Sequence, residues 1–356
     1  MLTPTGVCGS QLHSLGEQLR ARYVDQLGLV NDTYLRQEVH VRSTDYDRTL
    51  MSVQSLLQGL FPPGTGPIAL TPDQLQPVPV HTVDVTTDDL LRAYTAATCP
   101  QFGVLTDQDQ QLPAWEEERA RHQALFDALP AIIGVPADID MMWATADPLV
   151  VEKAHGLDWP GNLTEAMFNE IENITDWTLG RQYGTRELRR MAGGRYIATV
   201  RIWLEARVGP VGACHSCVAF GALCCSPCPR QSFPVYERPA GSQKYLGPRL
   251  YVYSAHDTTV AAVLAALGLF EPPRNPPYGS SVVAELVNDT ATGDLSVRLY
   301  YNRGTNASVV FQPQSMVTLA GCQELCPLDT FMELTSDVAL THDEWLSECG
   351  LVAAPC

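Results

Sequence analysis

Two stretches of this chain repeat one local plan, and that plan restricts the fold more than any other feature of the sequence. The first is "EVHVRSTDYDRTLMSVQSLLQGLFPP", where residues 38–41 alternate like a strand and a helical pattern runs on to Pro62. The second is "LYVYSAHDTTVAAVLAALGLF", where a strand at 250–253 leads directly into a helix that stops at Gly268. Strand, polar turn and helix in succession form the unit of an α/β fold, so we predict an α/β core that contains both units.

The sequence between these units is mostly helical in pattern, with little alternation. After the second unit, "SVVAELVNDTATGDLSVRLYYN" predicts two strands joined by a Gly-containing turn. We therefore predict an α/β core made of residues 1–96 and 238–356, a helical cap at 97–206, and a Cys-rich insertion at 207–237.

An amphipathic helix and a helix cap are also predicted. The stretch "LGEQLRARYVDQLGL" indicates an amphipathic helix with one apolar face, formed by Leu15, Leu19, Tyr23 and Leu27. In the first strand–turn–helix unit, Ser43 or Thr44 is expected to cap the helix that follows.

Charge and composition exclude several classes of protein. The formal net charge of −17 argues against nucleic acid or an anionic membrane as the main partner. No apolar run reaches the roughly 18 residues of a membrane span. The 11 cysteines and five N-x-S/T sequons are typical of an oxidising compartment, although any single sequon is also compatible with an ordinary surface loop. The predicted glycosylation sites are Asn31, Asn162, Asn173, Asn288 and Asn306.

The start of the chain does not fit that compartment, because residues 1–20 lack the basic and apolar regions of a signal peptide. We therefore expect the N-terminus to be incomplete. The stretch "RVGPVGACHSCVAFGALCCSPCPRQSFPVY" holds five cysteines, Cys214, Cys217, Cys224, Cys225 and Cys228. A zinc site is one interpretation, but the spacer between the two Cys-x-x-Cys pairs is shorter than is usual for structural zinc. We prefer the interpretation that this stretch is a disordered insertion, such as read-through intron sequence.

The polar turns carry the candidate chemistry. Arg42 ends the first strand, and His256 and Asp257 follow the second. Ligands of open α/β sheets bind outside the carboxyl ends of the strands, so these three residues are expected to share one cleft. An Arg fork binds two oxygens of a phosphate, and a carboxylic acid protonates a leaving alkoxide. The alternatives are a structural salt bridge for Arg42 and a helix cap for the His-Asp pair.

Four stretches, "VRSTDYDRTLMS", "PVPVHTV", "YSAHDTT" and "GCQELCPL", closely resemble the histidine acid phosphatases of the prostatic and lysosomal type. The resemblance runs from Leu2 to about Cys349. It implies a three-layer α/β sandwich with an inserted helical cap, and hydrolysis of phosphate monoesters through a phosphohistidine, with no cofactor and no metal. It further implies that Arg42 clamps the phosphoryl oxygens, His256 hydrogen-bonds to them and Asp257 protonates the leaving oxygen.

The family's nucleophile lies in an Arg-His-Gly motif, and this sequence contains none. The nearest match, Arg121-His122-Gln123, falls in a helical pattern and is interpreted as a solvated helix face. The resemblance therefore implies an N-terminally truncated and inactive phosphatase. The rival hypotheses are a non-catalytic secreted glycoprotein that binds phosphate or a protein partner, and a cytosolic phosphoglycerate mutase-like enzyme, which the sequons disfavour.

The resemblance also implies two disulfides, Cys99–Cys349 and Cys322–Cys326. It implies a secreted or lysosomal location. Small phosphate monoesters or a phosphoprotein are the expected partners, homodimer formation is left open, and no nucleic acid is expected.

Overall fold

The computed structural model describes residues 7–66, 74–206, 247–304 and 310–351. The predicted Cys-rich insertion and the sequon at Asn306 lie outside them.

The helices and strands alternate only at the two ends of the chain. The first part contains α1 (Val7–Arg20), β1 (Val39–Ser43) and α2 (Asp47–Leu60). Six helices follow: α3 (Pro100–Gln110), α4 (Pro113–Arg121), α5 (Gln123–Ile133), α6 (Met142–Ala154), α7 (Glu165–Gln182) and α8 (Arg186–Glu205). The last part contains β2 (Leu250–Ser254), α9 (Asp257–Ala266), β3 (Ser281–Asn288), β4 (Leu295–Asn302), β5 (Met316–Val317), β6 (Cys326–Pro327), α10 (Leu328–Thr335) and α11 (His342–Glu348).

The two predicted strand–turn–helix units lie side by side. β1 and β2 pair in parallel, with Arg42 opposite Tyr253. Val39 and Val41 point to one face of this pair, where they pack with α1 and α2 in a hydrophobic cluster that also contains Val252. The parallel pairing brings the carboxyl ends of both strands to the same edge, as the prediction of a shared cleft requires.

A second sheet is built on the predicted hairpin. β3 pairs antiparallel with β4, and β4 also pairs with the short strands β5 and β6. Among the described residues, β2 pairs only with β1, and β3 pairs only with β4. Each of these two strands therefore has one edge without a partner strand in the described ranges, and the two strands belong to separate sheets. Every residue of both strands nevertheless lines one common cavity.

The helical segment has two packing environments. α4 to α7 enclose a hydrophobic cluster of their own, with Phe168, Ile171 and Ile174 at its centre. α8 instead packs on α9. The two helices approach so closely at Gly193 that a Cβ there would lie 2.5 Å from the carbonyl oxygen of Ala262. Within the helical segment, α4 to α7 thus form a hydrophobic cluster separate from the one that α8 joins.

Two local predictions are corrected by the structure. Leu27 is 58% exposed, because the helix turns into a wider π-type turn after Arg20 and the apolar stripe changes direction. The residue that precedes α2 is Tyr46, and no side chain caps the helix there, so the predicted cap by Ser43 or Thr44 is wrong. These two residues are instead fully buried behind the end of β1.

Candidate active site

His256 stands between the end of β2 and the first turn of α9, and groups from the other unit hold its ring. Its Nε2 lies 3.2 Å from Thr44 Oγ1, and its Nδ1 lies 3.1 Å from Arg48 Nη2. The ring of Tyr46 meets it edge-on, with 5.2 Å between ring centroids. Burial, together with the charges of Arg48 and Arg92, lowers the pKa of His256 from 6.5 to about 4. The ring is therefore neutral at pH 5 and above.

Asp257 is the first residue of α9, and its Oδ1 accepts a hydrogen bond of 2.7 Å from the backbone N–H of Thr258. Burial raises the pKa of this carboxyl above its usual 3.8, and the nearby charge of Asp147 acts in the same direction. A carboxyl with a raised pKa keeps its proton to a higher pH than an exposed aspartate does, which suits it to donate that proton to a leaving group.

Arg42 lies at the same edge of the sheet as His256, but its side chain pairs with a buried carboxylate. Its Nη2 donates to Asp88 Oδ1 at 2.5 Å, and Asp88 is completely buried. Asp88 also accepts from the backbone N–H groups of Leu90 and Leu91. Arg42 does not line the cavity, whereas His256 and Asp257 do. The ion pair named as the alternative for Arg42 is thus present, and its contact with phosphate stays a prediction.

The cations beside His256 are Arg48 and Arg92, which the sequence reasoning missed. Both line the cavity, and both lie over the ring of Tyr46, with guanidinium carbons 4.6 Å and 5.2 Å from its centroid. Arg48 stands in the quoted stretch "STDYDRT" as the second residue of the helix that follows the strand, so a helical projection of that stretch was the available signal. We call Arg48, His256 and Asp257, together with the buried Thr44 behind them, the strand-end wall.

The cavity of about 2690 Å³ extends from the strand-end wall to the cap helices. α6 contributes Trp143 and Asp147, which are four residues apart on one helix face, and Asp140 precedes them. Trp143 is 65% exposed although it is a large aromatic side chain. We call Asp140, Trp143 and Asp147 the cap wall; two of its three members carry negative charge.

The remaining predicted sites lie elsewhere. His122 falls between α4 and α5 and is not a solvated residue: it is 15% exposed and contacts Glu118 and Glu170 at 3.2 Å and 2.6 Å. The four described sequon asparagines are exposed: Asn31, Asn162, Asn173 and Asn288. Asn173 lies on α7 and faces the cavity.

The two predicted disulfides are present. Cys99–Cys349 joins the start of α3 to the end of α11, with 4.8 Å between the Cα atoms, and Cys322–Cys326 closes a short loop next to β6. In the described ranges, His, Cys, Asp and Glu side chains form no group of three or more that suits a metal ion. No helix described here is long and apolar enough to cross a membrane.

Comparison with known proteins identifies similar chains. The family model for the histidine phosphatase superfamily (branch 2) matches residues 2–302. Lysosomal acid phosphatase from Bos taurus is 32% identical over 348 residues, which cover 96% of this chain and 70% of that protein. Prostatic acid phosphatase from Bos taurus is 30% identical over 355 residues, which cover 98% and 79%.

A solved structure of similar fold is the apo form of Hafnia alvei phytase, with a TM-score of 0.62 and 18% identity. The match covers 97% of this chain and 88% of the phytase chain.

Proposed function

Because the chain belongs to branch 2 of the histidine phosphatase superfamily, and within it to the acid phosphatases, we propose that it carries the phosphate-binding and proton-donating half of a phosphomonoesterase site. The observation that carries this proposal is the strand-end wall. It combines a His256 whose pKa is lowered, a carboxyl at Asp257 whose pKa is raised, and the cation Arg48 at one edge of the sheet.

Arg42 is proposed as a further phosphate ligand. Its buried Nε has no hydrogen-bond partner among the described residues, and neither does Oδ2 of its partner Asp88. A buried donor without a partner is costly, so an anion that reaches this Nε would relieve the cost. Arg42 would then hold the anion with one part of its guanidinium and Asp88 with the other.

We propose that these 356 residues do not perform the covalent step alone. Phosphohistidine chemistry requires an unhindered nucleophilic histidine, and the sequence has no Arg-His-Gly. The neutral ring of His256 is held at both nitrogens, and His122 is bound to two glutamates in the cap. Neither histidine is placed to attack phosphorus.

The cavity suggests where a nucleophile strand would fit. The open edges of β2 and β3 line it on two sides. Apolar side chains of α1, including Leu15 and Leu19, and of α8, including Tyr196 and Val200, line it as well. A strand with apolar residues on both faces is the element that pairs with two such edges between helical layers.

The test is hydrolysis of a phosphate monoester at acidic pH. We expect the chain to bind inorganic phosphate and to hydrolyse the ester no faster than background. Fusing a strand that carries Arg-His-Gly ahead of α1 should create activity, and the same fusion with Ala in place of His is the matched control. In the active fusion, Asp257→Asn should slow turnover by roughly 10²- to 10⁴-fold, most for poor leaving groups.

Two results would contradict the proposal. Robust hydrolysis by the unfused chain would show that another residue is the nucleophile. An inactive fusion that still binds phosphate would favour the second candidate, a non-catalytic glycoprotein relative that binds phosphate; the exposed sequon asparagines are the observation in its favour.

We further propose a lysosomal or secreted location. The relatives named lysosomal and prostatic acid phosphatase support it, as do the two disulfides, which persist in oxidising compartments. A mass decrease after enzymatic removal of N-linked glycans from secreted material is the expected result. Free thiols at Cys99 or Cys349 in such material would count against this location.

A further inference from the structure

Arg48 makes a contact with His256 that no other cation of the site makes. Its Nη2 lies 3.1 Å from Nδ1 of the imidazole, whereas Arg92 directs its Nη1 to the carbonyl oxygen of Val85 at 3.0 Å. A guanidinium donates hydrogen bonds and never accepts them. Nδ1 of His256 must therefore be the acceptor in this contact, and the proton of a neutral ring must reside on Nε2.

The other side of the ring leads to the same assignment through a chain of hydroxyl groups. Thr49 Oγ1 lies 3.0 Å from the carbonyl oxygen of Thr44 and 2.9 Å from that of Tyr46, and it donates its hydrogen to them because a carbonyl only accepts. Thr44 Oγ1, 2.9 Å from Thr49 Oγ1, must then donate to Thr49. This leaves Thr44 Oγ1 as the acceptor for Nε2–H of His256, at 3.2 Å.

The polarity of the network is thus fixed at both ends by groups that cannot exchange roles: a guanidinium at Nδ1 and backbone carbonyls beyond the two threonines. The charged and titratable groups around the ring are Arg48 and Arg92, the phenol of Tyr46 and the adjacent Asp257. Burial opposes protonation of the imidazole most, and both arginines act in the same direction, so that the pKa of His256 falls to about 4.

We propose that Arg48 is a positioning residue that fixes His256 as a neutral Nε2–H donor, so that the ring offers an anion one hydrogen bond in a defined direction rather than a positive charge. A phosphate oxygen would compete with Thr44 Oγ1 for that hydrogen. The role of this donor in anion binding rests on the proposed phosphate site. The tautomer does not, because it is set by Arg48 and the two threonines.

The test is nitrogen NMR on the full chain labelled at its histidine rings. Between pH 7 and pH 5, the His256 ring should give one pyrrole-type signal from Nε2 and one pyridine-type signal from Nδ1. Arg48→Met keeps the aliphatic stem and removes the donor. It should introduce the Nδ1–H tautomer and raise the titration midpoint of His256 by about one pH unit. Arg48→Lys, whose ammonium is also only a donor, should restore the wild-type tautomer.

Arg92→Met is the matched control, since it removes a nearby positive charge that has no hydrogen bond to the ring. It should raise the midpoint without changing the tautomer. An Nδ1–H tautomer in the wild-type chain, or an unchanged tautomer in Arg48→Met, would overturn the inference.

Addition of inorganic phosphate separates this inference from the proposed function. A shift of the Nε2 signal on titration supports phosphate as its acceptor. A shift of Nδ1 alone would overturn the direction assigned to the donor. If phosphate shifts no ring signal while the Nε2–H tautomer is intact, the proposed phosphate site fails and the positioning role of Arg48 stands.

Discussion

The strand-end wall and the cap wall face the same cavity but are built in different ways. The strand-end wall consists of residues within a few positions of two paired strands, and hydrogen bonds hold its polar groups. The cap wall lies on α6 and on the turn before it, and it presents an aromatic ring and two carboxylates from a bundle that packs through α4 to α7. Its carboxylates also have polar partners, because Asp140 pairs with Arg119 and Asp147 accepts a hydrogen bond from the Tyr278 hydroxyl. One wall thus stands at the ends of paired strands, and the other stands on packed helices.

This difference has a consequence for function. A site that must hold a phosphate oxygen to a fraction of an ångström needs groups on paired backbone, and His256 and Asp257 meet that condition. Side chains on a surface helix can change without disturbing the strands. We therefore expect changes in the strand-end wall to alter anion binding, and loss of the uncharged Trp143 in the cap wall to leave it largely intact.

The largest effect is expected from the disulfide that closes the longer of the two described loops. Cys99–Cys349 connects the first helix after the α/β part to the last helix of the described chain, across 250 residues. Closing a loop of this length stabilises a protein by about 5 kcal/mol in the chain-entropy model. The double change Cys99→Ser and Cys349→Ser should therefore lower the free energy of unfolding by several kcal/mol, as measured by denaturant titration.

The matched control is the other disulfide. Cys322–Cys326 spans four residues, and the same model gives about 2 kcal/mol for it. Equal losses for the two double variants would mean that chain entropy does not govern these bonds, and that buried packing around Cys99 and Cys349, both fully inaccessible, decides instead.

The strand-end wall was predictable because its signals are short-range. A strand that ends in a polar turn must present that turn at the edge of the sheet, so His256 and Asp257 were found from the sequence. Arg48 was missed although it lies in the first strand–turn–helix unit, because its contact with His256 depends on the rotation of α2 relative to β2. The alternation of β1 placed Arg42 at the strand end, but not the buried Asp88 that its side chain pairs with, 46 residues away.

A smaller effect is expected of pH on the stability of the fold, and it arises from histidines in and next to the paired strands. His40 on β1 stacks on His81, and burial together with the charges of His81 and Arg42 lowers the pKa of His40 from 6.5 to about 4. His256 has a similarly lowered pKa. In the unfolded chain both rings take up protons near pH 6.5, whereas in the fold they do so only near pH 4. Their contribution to stability is therefore present above pH 6.5 and is lost as the pH falls towards 4.

His40→Gln should reduce this dependence. The difference in unfolding free energy between pH 7 and pH 5 should shrink by about 1 kcal/mol, a figure that allows for the solvent that reaches the ring. Asp88 and Asp257 act in the opposite direction, because burial raises the pKa of each carboxyl, and both are retained in the variant. Val39→Ala, a buried and uncharged change on the same strand, should lower stability equally at both pH values. An unchanged pH dependence in His40→Gln would show that the imidazole is not the group concerned.

The cap was predictable only as a helical segment. The sequence placed Arg121-His122-Gln123 within a helical pattern, yet α4 ends at Arg121 and α5 begins at Gln123, with His122 held between two glutamates at the junction. Such a break follows from contacts across the cap, which helical periodicity does not contain. The same holds for the outward direction of Trp143.

The smallest effect is expected at Trp143, and it tests whether the cap wall is as independent as its construction suggests. Trp143 is 65% exposed, while Trp115 in the same cap is 5% exposed and belongs to the hydrophobic cluster of α4 to α7. Trp143→Ala should change the free energy of unfolding by no more than about 0.5 kcal/mol, whereas Trp115→Ala should cost about 3–5 kcal/mol. Trp143→Ala should also leave the affinity for inorganic phosphate unchanged, since the ion itself carries no group that extends to α6. A loss of stability comparable to that of Trp115→Ala would mean that the ring packs against the cap. A loss of phosphate affinity at full stability would mean that the two walls form one binding surface, and the separation drawn between them would be wrong.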